Sequence, residues 1–555
     1  MQGINLAKLS FSIPRWLMFD RDSSRLVTLQ IVAVLLVAAV LRFNQITQPL
    51  VDAFSWRQIS IAMIADNFYQ RDRNIFYPEV SWNGPGPSYR GRELQTISYA
   101  TALLYTTFGQ HDWVGRSVAV LFGLWDIFAL YQLVRRVYDE EHAVAASLVL
   151  AILPGAIFID RSFLPEPAMV ALITTSMWML AAHFQTEKLR YLILACAAAA
   201  LGILTRLPGV LIVVPMLYAG FALLERETLA ESRYPWLLSL GLLGTAGVVF
   251  WYLDWTRQLA ISYPPYQLMS TGIWVWDDGL TKWVDRGYFI SAALTNMSSW
   301  LWTAPVIGLV GLGLVFAPLG AWQARSRAPT QPSNDELRKA PWLFHWWLLG
   351  CVLYYLVGAR DINDYPWYFQ IFNPAIAALA GQGLVLLWRL GLRNSRARSA
   401  LVLVGLTLVI IVGLGQGALQ PMYYPPDAAQ GYRLGLALHD ISRPDDLIIT
   451  LANDPRNPIA LYYSKHRGWV FPPAEIDREW NWLAKDDALS IRQFEQLRAQ
   501  GARWLGIVND REDFWVEHRD LYNSLKKTIE FKVKTADYVI YRILTPEEVA
   551  NVTKK

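Results

Sequence analysis

The sequence predicts a polytopic α-helical membrane protein of about eleven spans with a small C-terminal soluble α/β domain, on three observations. Its 555 residues are 54% hydrophobic and only 17% charged, with a mean hydropathy of +0.23, whereas soluble chains carry roughly 25% charged residues. The apolar residues fall in blocks of roughly 17–25, the length a helix needs to cross a bilayer core of about 30 Å. Beyond residue 421 the blocks stop and short strand-like and helix-like stretches take over.

Taken in order, residues 1–26 are mixed and basic, and the first apolar block is long enough to stay as an anchor, so no cleavable signal peptide is expected. Spans are predicted near 27–43, 112–134, 143–159, 165–183, 190–205, 208–224, 235–253, 298–323, 341–358, 366–388 and 399–419. Val27–Leu41, Ser298–Gln323, Pro366–Trp388 and Ser399–Leu419 contain no Asp, Glu, Lys or Arg. In lipid every backbone polar group must be satisfied within the segment, so these blocks are read as helices. The membrane domain then covers 27–420, with large connections at 44–111 and 254–297.

Orientation follows from the basic residues beside the spans. With a cytoplasmic N-terminus, Lys8, Arg15, Arg21, Arg25, Arg135, Arg136, Lys188, Arg190, Arg389, Arg393, Arg396 and Arg398 all fall inside, and the inner segments are the more basic. Both long loops and the C-terminal tail then lie outside. In residues 421–555, Asp446–Leu451, Ala502–Val508 and Phe531–Ile543 read as strands, with a polar helix at Ala488–Gln500. This domain is expected to pack on the outer surface of the bundle.

Composition also excludes. A net charge of +4 gives no reason to expect nucleic acid. Cys196 and Cys351 lie inside apolar blocks, so no disulfide framework is expected. His111, His142, His183 and His345 are scattered without ligand spacing. There is no internal repeat to support an inverted-repeat transporter.

Charges at a membrane boundary are costly and mark sites. Several fall on the predicted outer side: Asp52 after the first span, Asp160, Arg161 and Glu166 at the third-to-fourth turn, Arg206 at the fifth-to-sixth, and Arg360, Asp361 and Asp364 at the ninth-to-tenth. Turns at the tops of neighbouring helices converge, which would give a polar cavity of carboxylates and arginines at headgroup depth. That suits transfer of a sugar from a lipid phosphate. The leaving phosphodiester is already a stable anion, so the site needs a carboxylate base for the acceptor hydroxyl and guanidinium groups, or a metal, for the phosphate. Structural readings stand beside this one: an Asp160–Arg161 ion pair, Asp52 as a helix cap, and Arg116 and Asp126 as polar partners inside the bundle. The tryptophans of the outer loops read as interfacial belt and loop packing.

The motif order carries more. A span is followed by Asp52, SWRQ (Ser55–Gln58), ADNFY (Ala65–Tyr69), YPEVSWNG (Tyr77–Gly84), RELQTISYATALLYTTFG (Arg92–Gly109), DRSFLPEP (Asp160–Pro167) and DYPWYFQIFNPAIAALAG (Asp364–Gly381). Across roughly 27–390 this resembles the bacterial branch of the protein O-mannosyltransferase and aminoarabinose transferase superfamily, with the integral-membrane GT-C fold. The resemblance implies an inverting hexosyl or pentosyl transferase of a bacterial inner membrane. Its donor would be a polyprenyl-phosphate monosaccharide and its acceptor a glycolipid, a cell-wall glycan or a protein. It makes Asp52 the catalytic base and matches Glu166, within Pro165–Pro167, to the family's acidic residue after the third span, where it would orient an acceptor or a metal. It also sets Arg57 and Arg161 at basic positions, and Tyr365, Tyr368 and Gln370 near the lipid phosphate or sugar.

One element departs. Where aminoarabinose transferases carry a Lys-Pro-Pro-Leu element whose lysine holds phosphate, this chain has Glu93-Leu94-Gln95-Thr96. Another cation must serve: Arg90 or Arg92, with Arg206 a further phosphate ligand, or a divalent Mg or Mn ion held by Glu93. A lipid-linked glycan flippase would instead string charges through the midplane, and a non-catalytic assembly subunit would tolerate loss of Asp52.

Overall fold

The computed structural model describes residues 24–90, 93–224, 233–263, 288–327, 339–393, 397–452, 457–473, 486–508, 516 and 518–552. The first apolar block forms α1 (Ser24–Phe43). The long connection after it holds two helices, α2 (Ser55–Gln70) and α3 (Thr96–Phe108), and α2 is buried along nearly its whole length, polar residues included. The bundle continues with α4 (Asp112–Val137), α5 (Glu140–Ile152), α6 (Pro154–Asp160), α7 (Glu166–Thr186), α8 (Leu189–Thr205), α9 (Val213–Leu223) and α10 (Arg233–Ser262). Then come α11 (Tyr288–Asn296), α12 (Ala304–Arg327), α13 (Leu343–Asp364), α14 (Asn373–Arg393) and α15 (Ala397–Leu419).

Among the described residues, five helices are long and apolar enough to cross a membrane, or seven if each bent pair is one span, and four shorter apolar helices accompany them. The bends have local causes. Pro154 forces Leu153 into extended backbone (φ −60°, ψ 120°), so α5 and α6 meet at 65°. This swing carries Asp160 to the bundle end. α10 turns Trp236, Leu240, Leu243 and Phe250 outward, all more than two-thirds exposed, as a lipid-facing helix would. Inside, small residues allow close helix contact: a Cβ at Gly313 on α12 would stand 2.0 Å from the Leu379 carbonyl oxygen of α14.

The C-terminal part contains α16 (Pro426–Ile441), β1 (Leu447–Leu451), α17 (Ile459–Ser464), β2 (Gly468–Val470), α18 (Asp487–Ala499), β3 (Ala502–Val508), α19 (Arg519–Leu525), β4 (Ile529–Lys534), β5 (Tyr538–Ile543) and α20 (Pro546–Val552). The sheet order is β2-β1-β3-β5-β4, parallel across the first three strands, with an antiparallel hairpin at the edge. Phe531–Ile543, predicted as one strand, is that hairpin. Asp537 N donates to Thr535 Oγ1 at 3.1 Å and folds the chain back.

The sheet does not sit loosely on the membrane part. Leu434, Leu438, Ile448 and the apolar side chains of α17 share one core with Leu50, Val51 and the buried faces of α2, α3 and α4. The exposed edge of β2 is covered by the first connection: Gly468 N donates to Ser81 O at 3.0 Å and Gly84 N donates to Gly468 O at 2.8 Å. An uncovered edge strand would invite pairing with other chains. Arg467 donates to Glu79 at 2.6 Å and to Gly84 O at 3.0 Å.

This junction leaves no room at Gly468, where a Cβ would lie 1.8 Å from the Ile448 carbonyl oxygen. Gly468→Val is therefore expected to destabilise the protein by about 1–3 kcal/mol or more through overpacking. The check is the unfolding temperature of the full chain in detergent, which should fall clearly below wild type.

Candidate active site

Three buried ion-pair groups form where the ends of α1, α6 and α8 meet the starts of α2, α4 and α7. In the first, Asp52 is fully buried, accepts hydrogen bonds from three side chains and pairs with a second guanidinium. Arg116 Nη2 lies 2.7 Å from Oδ2 and Arg161 Nη1 3.4 Å from Oδ1. Gln48 Nε2 donates to Oδ1 at 2.9 Å and Gln58 Nε2 to Oδ2 at 3.3 Å. Arg161 also stacks over the Tyr423 ring, 4.6 Å from its centroid. Phe54, two residues after Asp52, takes a left-handed conformation (φ 60°) before α2 starts. The strain, about 1–3 kcal/mol, lies beside the carboxylate.

In the second group, Arg57 Nη2 meets Glu93 Oε1 at 2.9 Å, Arg206 meets the same oxygen, and Arg206 Nε lies 2.9 Å from Glu166 Oε1. Two guanidiniums thus balance two carboxylates. Arg206 stacks over the Tyr368 ring, 5.0 Å from its centroid. In the third, Arg42 Nε donates to Asp160 Oδ2 at 2.9 Å, and its remaining nitrogens donate to Ala151 O and Leu150 O. Gln370 Nε2 donates to Asp160 Oδ1 at 2.6 Å, and Asn373 in turn donates to Gln370.

The turn between α6 and α7 joins the groups, because Phe163 N donates to Gln58 Oε1 at 3.0 Å. α4 admits that turn through two glycines. A Cβ at Gly115 would stand 2.1 Å from the Phe163 ring, and one at Gly123 would stand 2.6 Å from the Asp160 carboxyl carbon. The side nearest the surface is aromatic: Trp56, Tyr365 and Tyr368 are half-buried, with Trp56 and Tyr365 5.9 Å apart.

The structure therefore brings Asp52, Arg57, Arg161, Glu166, Arg206, Glu93 and Tyr368 into contiguous ion-pair groups. Gln370 is buried and serves Asp160. Arg161 pairs with Asp52 rather than with its neighbour Asp160, which takes Arg42. Arg90 is buried beside Trp82, 5.6 Å from its ring centroid. Arg92 and the side chains of Arg360 and Asp361 lie outside the described residues. Asp364 is exposed. One member was absent from the sequence reading and one was given another role. Arg42 was not singled out, and Arg116, read as a bundle partner, is the closest cation to Asp52. For a metal the donor set is a poor fit. Glu93 already faces two guanidiniums, and among the described residues no three His, Cys, Asp or Glu side chains gather as ligands.

Removing one partner of a buried pair strands the other charge, at a cost of about 3–5 kcal/mol. Arg42→Met should lower the unfolding temperature of the chain in detergent by that equivalent. Adding Asp160→Asn should restore much of the loss, because the stranded charge is then gone.

The sequence profile of the dolichyl-phosphate-mannose-protein mannosyltransferase family matches residues 96–251. The fold is similar to that of ArnT from Cupriavidus metallidurans in the apo state, at 14% identity and a TM-score of 0.57, over 94% of this chain and 98% of that one. The same enzyme bound to undecaprenyl phosphate matches at 13% identity and a TM-score of 0.54, over the same shares. The archaeal oligosaccharyltransferase AglB from Archaeoglobus fulgidus, in complex with an inhibitory peptide and a dolichol-phosphate, matches at 12% identity and a TM-score of 0.56, over 94% of this chain and 74% of that one. None of the curated proteins compared with the chain matches it in sequence. The chain has the fold of the GT-C membrane glycosyltransferases and, within residues 96–251, resembles the mannosyltransferase family in sequence as well.

Proposed function

We propose that the protein is an inverting glycosyltransferase that moves a monosaccharide from a polyprenyl-phosphate donor to a hydroxyl acceptor. The single observation that carries the reading is Asp52, fully buried in a GT-C fold between Arg116 and Arg161. Asp52 would take the proton of the acceptor hydroxyl as its oxygen attacks the anomeric carbon. The bond from that carbon to the phosphate oxygen breaks, and the polyprenyl phosphate leaves as an anion without a general acid.

The cations suit the other half of the step. Arg206, backed by the Tyr368 face, and Arg57 beside it would receive the phosphate as its charge grows, with Glu93 and Glu166 as the counter-ions it displaces. Arg161 makes the longest ionic contact to Asp52, at 3.4 Å, and is the partner that would yield when the acceptor hydroxyl approaches Oδ1. Hydrogen bonds in unliganded sites commonly rearrange in this way on substrate binding. Glu166 would then orient the acceptor. The half-buried Trp56, Tyr365 and Tyr368 would form the entrance used by the lipid-linked sugar. In a bacterial inner membrane, with the N-terminus cytoplasmic, this entrance and the sheet domain would face the periplasm. The acceptor would be a glycolipid, a cell-wall glycan or a protein. A flippase is disfavoured: among the described residues the buried Asp, Glu and Arg side chains of the bundle gather at one set of helix ends, with Asp126 deeper in α4.

The test is transfer of radiolabelled sugar from polyprenyl-phosphate donors in reconstituted vesicles, wild type beside Asp52→Asn. The substitution keeps size and hydrogen bonding but removes the base. Transfer by the folded variant should fall by about two to four orders of magnitude. Equal transfer by both proteins would make Asp52 structural and move the base to Glu166.

A further inference from the structure

The C-terminal domain reaches the Asp52 segment with one hydroxyl group. Tyr463 on α17 accepts a hydrogen bond from Leu50 N at 2.6 Å and donates one to Asp112 Oδ2 at 2.6 Å. Asp112 opens α4, one turn ahead of Arg116, and Tyr462 donates to its other oxygen at 2.9 Å. Tyr463 therefore ties the backbone two residues before Asp52 to the helix that supplies the closest cation to Asp52.

A second tie comes from the segment leading into the same domain. Ala53 N donates to Met422 O at 2.7 Å, Gln48 donates to Tyr423 O, and the Tyr423 ring lies under Arg161. Residues 48–53 are thus gripped on both sides of Asp52 by main-chain and side-chain groups from beyond α15. The segment is not part of a helix: its internal ties are Gln48 to the Asp52 carboxylate and short local bonds such as Val51 N to Pro49 O, and Arg116 adds a bond to Pro49 O at 3.0 Å.

We infer that Tyr463 is a positioning residue through which the C-terminal domain holds Asp52 against Arg116, so that the domain is part of the active site. The inference rests on the glycosyltransferase reading only for its kinetic consequence. The hydroxyl is suited to the task. Burial, with Asp112 beside it, holds it well above the ordinary phenol range, so it stays a donor. The ring is also held without the hydroxyl, by edge contacts with Tyr432 and Tyr462 whose centroids lie 4.6 Å and 4.9 Å away. Tyr463→Phe thus removes the tie and leaves the packing.

The experiment is hydrogen exchange at amides 48–53 in the full chain, wild type beside Tyr463→Phe and Tyr462→Phe, with sugar-transfer kinetics on the same preparations. In Tyr463→Phe the Leu50 amide should exchange roughly three- to tenfold faster, the effect of one lost hydrogen bond. Its kcat should fall by about tenfold to a hundredfold from misplacement of Asp52, with the donor KM little changed. Tyr462→Phe touches Asp112 but not Leu50, and should leave the Leu50 amide at the wild-type rate. Unchanged exchange in Tyr463→Phe overturns the tie, and faster exchange with unchanged kcat overturns the positioning role. If wild type transfers no sugar, the glycosyltransferase reading fails, and exchange alone decides whether Tyr463 holds the segment.

Discussion

One buried carboxylate organises the end of the bundle where three ion-pair groups meet. Asp52 is held between Arg116 of α4 and Arg161 of the turn between α6 and α7, with Gln48 and Gln58 completing its shell. A lone charge in such surroundings would be prohibitively costly. A charge met by two guanidiniums and two amides is tolerated because every face is occupied. The constraint propagates. α4 must carry Gly115 and Gly123 so that the turn bearing Arg161 can press against it. α2 must begin immediately after a strained Phe54 so that Gln58 and Arg57 point back toward the site. The C-terminal segment must pass over Arg161 so that Tyr423 can cover the guanidinium.

The arrangement also explains a division of labour among the arginines. Arg57 and Arg206 sit in a balanced group with Glu93 and Glu166, and an incoming phosphate could replace one of those carboxylates without a net gain of buried charge. Arg42 is spent on Asp160 and on two backbone carbonyls left open where Leu153 and Pro154 interrupt the helix, which is a structural use. The half-buried rings of Trp56, Tyr365 and Tyr368 border the polar groups, with Tyr368 under the Arg206 guanidinium.

Much of the scaffold could be read from the chain. Block length and missing charge marked the apolar helices, and β1, β3 and α18 appeared where alternation and polarity placed them. The misses have physical causes. The connection 44–111 reads as a loop because α2 mixes polar and apolar residues on all sides. It is a buried helix because α3 and α17 of the sheet domain pack against it, in one core with residues of α4. β2 is three residues long, too short for any period to register. The ion pairs were least legible. Asp160 and Arg161 are adjacent, but successive helical residues point about 100° apart, and each finds its partner over a hundred positions away. The signal that marked Arg116 as a polar partner inside the bundle could also have found Arg42, since each is an arginine set in an apolar stretch, where a charge demands a partner. Which partner it takes is a property of the fold.

The most direct test is the structure of the full chain in a lipid nanodisc with undecaprenyl phosphate, solved by electron cryomicroscopy. The account predicts the phosphate within hydrogen-bond distance of the Arg206 guanidinium, beside Tyr368, with Asp52 on the side where the anomeric carbon of a sugar would lie. A phosphate bound at the opposite ends of the helices, or one that leaves Arg57 and Arg206 paired with Glu93 and untouched, would contradict it.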